Sequence, residues 1–209
     1  MSYDLSIALR IYPRLSKEHF FFKSKHDLVE TCLDSLIKSL NGIKYELITI
    51  LDNCPQDYKE SIRRRVDHNN LRIIETKGIG NASTFLSQIS LLRDHANSEY
   101  VYFAEDDYYY IGKMKEMLEF SIENSDVVDF VTPYDHLDYY INLEFHGYKM
   151  NVMEYKDRMW KQVGSTTCTF MTSRKILEET SRVLKYYPLI GDYLMWNLLT
   201  RKNPVLKST

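Results

Sequence analysis

Three consecutive carboxylates, Glu105-Asp106-Asp107, close the apolar, β-prone run Tyr100-Val101-Tyr102-Phe103-Ala104. A buried strand ending in acids delivers them to the rim of an open α/β sheet, where ligands bind. Adjacent carboxylates repel one another, so an external cation is the usual reason to gather them. Hard divalent ions such as Mn2+ or Mg2+ prefer oxygen ligands and are often shared with substrate phosphates. A solvated turn would also account for the three acids, because Asp is common in turns. Their place in the chain favours the ion.

Two earlier loops belong with them. Ile11-Tyr12-Pro13-Arg14 ends a first strand-like segment, Leu5 to Tyr12, and Asp52-Asn53-Cys54 follows a second, Tyr45 to Leu51. In a parallel sheet these loops and the acidic one share an edge and can converge on one ligand. The Asp52 carboxylate can accept from an imide N–H of a base, Tyr12 can stack on that base, and Arg14 can neutralise a phosphate. Asn81, opening a helix after Gly78-Ile79-Gly80, adds a helix N-terminus that favours anions.

The elements that must position these residues alternate. Ser24 with Asp27 predicts a helix start. From there Leu28, Val29, Cys32, Leu33, Leu36, Ile37 and Leu40 recur at helical spacing until Asn41-Gly42. A polar helix from Asp57 to Val66 and a short strand from Leu71 to Ile74 follow. A helix then runs from Asn81 through Ala96, its inward face supplied by Phe85, Ile89 and Leu92. After the acidic strand come a helix, Met114 to Ile122, and a buried strand, Val127 to Val131. This order predicts an α/β fold: a mainly parallel, Rossmann-like central sheet with helices on both faces, in a single domain. From Tyr134 to Tyr155 the chain is rich in Tyr, Asp and Asn and shows no clean period. Trp160 to Thr172 reads as strand-like, and Arg174 to Leu184 and Asp192 to Leu199 read as helices.

Composition narrows the function. With 209 residues the chain can bury a sizeable core. Its net charge of −2 offers no field for nucleic acid or an anionic membrane. The run Arg63-Arg64-Arg65 on a predicted helix reads as a solvated face. The 17 Tyr suit stacking on bases or sugars as well as core packing. Cys32, Cys54 and Cys168 form neither a metal-ligand spacing nor a disulfide framework, which favours a reducing compartment. No signal-like amino terminus and no apolar run long enough for a transmembrane segment is present, so a soluble, cytoplasmic protein is expected.

In order, the segments SIALRIYPR, ELITILDNC, KGIGNASTFLSQI and YVYFAEDDYYY resemble the GT-A glycosyltransferases, especially family-2-like members that begin with the nucleotide-binding half. The last is similar to the family's acidic DXD signature in its Glu-Asp-Asp form. The resemblance covers about half of the chain. It implies a donor-binding half over 1–112 and an acceptor-binding half over 113–209 of one GT-A domain. It further implies a nucleotide-sugar donor, usually a UDP-sugar, with Mn2+ or Mg2+ on its diphosphate, and an acceptor hydroxyl on a glycan or glycoconjugate.

Carried onto this chain, Asp107 is the metal ligand, Glu105 and Asp106 lie near the ribose and the sugar, and Asp52 reads the uracil beside Tyr12. The base that such enzymes place at a helix start corresponds to Asp192 in Gly191-Asp192-Tyr193. Removing the acceptor proton there would give inversion at the sugar carbon. A helix N-cap is the other role open to Asp192, and Asp135 and Asp138 compete for the base. The chain departs from the pattern with Pro13 in the first loop, Leu-Asp-Asn after the second strand, and Gly191 where an acid is common. His136 and His146 are secondary candidates for the metal shell, Gly164-Ser165-Thr166-Thr167 for an acceptor-cleft strand, and Trp160 and Trp196 for sugar stacking. The rival readings are a nucleotidyltransferase, which the glycine-free first loop disfavours, and a non-catalytic nucleotide-sugar or glycan-binding module.

Overall fold

The strand β1 (Leu5–Ile11) is buried along its whole length. Its residues divide between two cores by the strand's period of two. Leu5, Ile7, Leu9 and Ile11 enter one apolar cluster, and Ala8 enters the other. Such a continuous apolar run is what a strand covered on both faces requires. The structure, a computed structural model, describes residues 3–14, 21–141, 152–164 and 166–202.

Around β1 the six-stranded sheet runs from Leu71–Thr76 (β3) through Tyr45–Asp52 (β2), β1, Tyr100–Glu105 (β4) and Phe170–Ser173 (β8) to Phe130–Val131 (β5). The strands β2, β3 and β4 run parallel to β1. The strand β8 is antiparallel to both β4 and β5. A two-stranded hairpin, β6 (Val152–Tyr155) with β7 (Arg158–Lys161), stands apart from the sheet. Because the chain leaves β1 towards β2 and β3 and then returns to β4 on the other side, the switch point lies between β1 and β4. That crevice, at the carboxyl ends of the strands, is where open α/β sheets bind ligands.

On one face, α1 (Lys25–Ser39), α2 (Gln56–Arg65) and α4 (Met114–Glu123) pack over the cluster built on Leu33, Leu36, Tyr102 and Phe120. Ser24 caps α1 by accepting from Asp27 N–H at 3.1 Å. On the other face, α3 (Gly80–His95), α6 (Arg174–Leu184) and α7 (Tyr187–Lys202) cover Phe85, Phe103 and Phe170. A short helix, α5 (Asp138–Ile141), follows β5. Burial of each such side chain is worth about 1.5–3 kcal/mol, so the two clusters dominate the stability of the sheet.

The predicted α/β class and mainly parallel sheet are observed. Two details differ. The strand expected over Val127 to Val131 contracts to Phe130–Val131, because Val127 and Val128 donate to Asn124 O in the turn that ends α4. The segment Trp160 to Thr172 is two strands, the tail of the hairpin and the start of β8. Both tryptophans pack internally: Trp160 stacks on Phe120 at 4.2 Å, and Trp196 lies edge-on to Phe130 and Phe170.

Candidate active site

At the β1/β4 switch point the ends of β1, β2 and β4 and the first turns of α1 and α3 enclose a cavity of about 470 Å3. Tyr12, Arg14, Asp52, Asn81, Glu105, Asp106 and Asp107 all line it. The site residues predicted from four separate segments of the chain therefore converge on one space, joined by Arg10 and Lys25.

Asp52 ends β2 at 1% exposure and faces the start of α3. One carboxylate oxygen accepts from Ile79 N–H at 2.8 Å and the Thr76 hydroxyl at 2.7 Å; the other accepts from Gly80 N–H at 2.8 Å. Burial opposes its charge, but the bonds from Thr76, Gly80, Ile79 and Gly78 win and hold its pKa below the usual value. Asp52 is thus itself an anion at the helix N-terminus. Both carboxylate oxygens are thus engaged from the start of α3 and from Thr76.

The three acids are held differently. Glu105 pairs across the strands with Arg10, its register neighbour, and also accepts from the Thr169 hydroxyl at 3.1 Å. Burial works against the Arg10 charge, yet Glu105 more than restores it, and its pKa is raised. Asp106 accepts from Tyr12 N–H at 2.9 Å and from Lys25 Nζ at 2.8 Å. Burial raises the Asp106 pKa in spite of Lys25. Asp107 is exposed and has no hydrogen-bond or ion-pair partner among the described residues. Partial burial, then the charges of Glu105 and Asp106, push its carboxyl up. Arg14 is likewise exposed and unpaired there. Among the described residues, internal pairing leaves one acid and one base free at the cavity. A free carboxylate whose neighbours disfavour its charge fits a hard divalent cation.

Asn81 sits one residue inside α3 and its side chain spans two partners. It accepts from Arg10 Nη1 at 2.5 Å and donates to the Tyr187 hydroxyl at 2.7 Å. Asp192 lies half-buried just past Gly191, whose φ of 72° and ψ of 176° interrupt α7. That backbone region is essentially confined to glycine. Asp192 accepts from Tyr193 N–H at 2.8 Å through one oxygen. It does not line the cavity, but it shares with Arg10 and Glu105 an influence on the Cys168 thiol, which burial pushes up to about 12. Asp135 accepts from the Tyr140 hydroxyl, and His136 stacks on Tyr134; neither lines the cavity. The Asp138 side chain, His146 and Ser165 lie outside the described residues. Arg65 is bound to Asp34 and Glu30, while Arg63 and Arg64 are exposed.

Sequence reasoning missed Arg10, Lys25 and Thr169. An arginine inside the apolar run LSIALRI was a visible signal, since a buried charge must be paired. Lys25 and Thr169 carried none, because their partners are distant in the chain.

No protein-family model and no curated protein sequence matches the chain. Solved structures do resemble it. The S. aureus TarS fragment 1–349 in complex with UDP has a TM-score of 0.58 and 13% identity, over 92% of this chain and 54% of that one. The mannosyltransferase PcManGT from Pyrobaculum calidifontis, in complex with GDP-Man and Mn2+, has a TM-score of 0.54 and 16% identity, over 86% and 47%. The 4-diphosphocytidyl-2C-methyl-D-erythritol synthase from Anaerococcus prevotii has 0.53 and 13%, over 95% and 83%. The chain spans about half the length of the first two. At these identities the likeness defines the fold, a GT-A-like α/β sheet shared by glycosyltransferases and nucleotidyltransferases.

Proposed function

We propose that this chain is a metal-dependent glycosyltransferase that moves a sugar from a nucleoside-diphosphate donor, a UDP-sugar, to an acceptor hydroxyl on a glycan or glycoconjugate, with inversion. One observation carries this reading: among the described residues that line the switch-point cavity, every acid is internally held except Asp107, and every base except Arg14. Asp107 would hold Mn2+ or Mg2+, whose charge offsets that developing on the diphosphate leaving group. Arg14 is placed to bind a phosphate. Asp52 lines the same cavity and would accept from a base N–H, with the half-exposed Tyr12 ring available to stack on that base. Asp192 takes the acceptor O–H proton while that oxygen bonds to the sugar carbon. The bond from that carbon to the diphosphate oxygen breaks with its electron pair.

The likeness to the erythritol synthase, which covers more of that chain than of the transferases, favours a nucleotidyltransferase as the second reading. The loop Tyr12-Pro13-Arg14 has no glycine to wrap a triphosphate, which supports the first. Calorimetry with UDP, GDP, CDP and ADP, with Mn2+ and then with chelator, tests the site. Metal-dependent binding of UDP that is lost in Asp107→Ala, with unfolding of the variant unchanged, is expected. Equal binding by Asp107→Ala would remove the metal site, and binding of none of the four would remove the nucleotide.

A further inference from the structure

The kinked helix α7 carries Asp192, and two anchors flank that residue. On the carboxyl side Met195, Trp196 and Leu199 are buried, and Trp196 Nε1 donates to Thr167 O at 3.1 Å. On the amino side stands the single turn 187–190, with Pro188 in its first positions, where a missing N–H costs nothing. Neighbouring side chains give that turn little hold: Leu189 is 80% exposed and Tyr186 48%. Its grip on the sheet comes from Ile190, partly buried against the core, and from Tyr187. The Tyr187 ring packs on Phe85 at 4.8 Å, and its hydroxyl takes the Asn81 amide at 2.7 Å.

Asn81 continues the connection inward. Its side-chain oxygen and backbone carbonyl both accept from Arg10 Nη1, at 2.5 and 2.9 Å, and Arg10 pairs with Glu105. Glu105 is two residues from Asp107. An unbroken path of polar contacts therefore runs from the acidic strand end through Arg10 and Asn81 to the turn before Gly191.

We infer that Tyr187 is a positioning residue: its hydroxyl, held by Asn81, fixes the 187–190 turn to the donor-side network and so sets where Asp192 stands relative to the acidic strand end. The assignment rests on the glycosyltransferase reading with Asp192 as base. It differs from a packing role for Tyr187, because the ring alone would supply packing. The hydroxyl matters only if the register of the turn does.

Tyr187→Phe keeps the ring contact with Phe85 and deletes the hydrogen bond. Hydrogen exchange of peptides spanning 187–193 should accelerate about ten-fold, with β1 and β4 peptides unchanged, as expected for a local opening. UDP affinity with Mn2+ should stay within about two-fold of wild type while kcat on the donors UDP-glucose, UDP-galactose and UDP-N-acetylglucosamine falls about ten-fold, a split that a general loss of structure would not give. Adding Tyr187→Phe to Asp192→Asn should cost nothing further, because both changes act on one group. Unchanged exchange, unchanged kcat, or full additivity with Asp192→Asn would overturn the inference. A wild-type protein that turns over none of the three donors counts against the glycosyltransferase reading instead, and the exchange of 187–193 then decides the strut by itself.

Discussion

Asp52 has both oxygens engaged by Ile79 N–H, Gly80 N–H and the Thr76 hydroxyl, so its charge is part of the fold as well as of the cavity. In Asp52→Asn one side of the carboxamide turns N–H donors towards N–H donors, which should cost about 1–3 kcal/mol in stability. The sign of the pH effect follows from the lowered pKa of Asp52 in the folded chain. The stabilisation is complete above the unfolded carboxylate value of about 3.9. It is lost as pH falls through the lower folded value. The gap in denaturation free energy between wild type and Asp52→Asn should therefore be widest at neutral pH and close in acid; a gap independent of pH would mean that the charge plays no part. The sequence pointed to Asp52 because an acid after a strand is a recognisable pattern. Its donors were not legible, since Thr76 and Gly80 are brought to it only by the parallel pairing of β3 with β2. The same holds for Asp106 and Lys25, which are 81 residues apart.

Among the elements, those with strong local periodicity were legible: β1, α1, β2, α3, β4 and α6 stand where apolar spacing and caps put them. What the sequence did not carry was the placement of β8, which enters antiparallel between β4 and β5 by a pairing set at long range. That strand matters to the site, for the residue before it, Thr169, holds the second oxygen of Glu105. The turn–kink–helix of α7 was half legible: the segment after Gly191 showed as a helix, and the turn before it did not. Gly191 replaces an acid common in the resembled pattern, and its backbone angles supply the physical reason for glycine here. Placing a Cβ there meets no heavy atom within 4 Å, so Gly191→Ala meets backbone strain alone. That strain should cost about 1–3 kcal/mol. Thermal unfolding should show the loss, and transfer should slow while UDP binding with Mn2+ persists. A variant with wild-type stability would mean that α7 relaxes into a continuous helix without penalty.

At the scale of the whole molecule, the cavity exists only when the loops after β1, β2 and β4 meet the first turns of α1 and α3. An unfolded chain cannot assemble it, so any ligand of the cavity must stabilise the fold by mass action. The two groups left free, Asp107 and Arg14, are of opposite sign and come from separate strand ends, which is the arrangement a cation–diphosphate pair would bridge. Neither the ion nor the nucleotide alone satisfies both. UDP with Mn2+ at about 100 times its dissociation constant should add about 2.7 kcal/mol, which for a chain of this length raises the unfolding temperature by about 5–10 °C. The rise should vanish with chelator and in Asp107→Ala, and it should shrink in Arg14→Ala, where the ion keeps its ligand and the phosphate loses one. An equal rise in the presence of chelator would mean that the nucleotide enters without the ion. The free carboxylate at the end of β4 would then have to be explained by the acceptor or by the sugar.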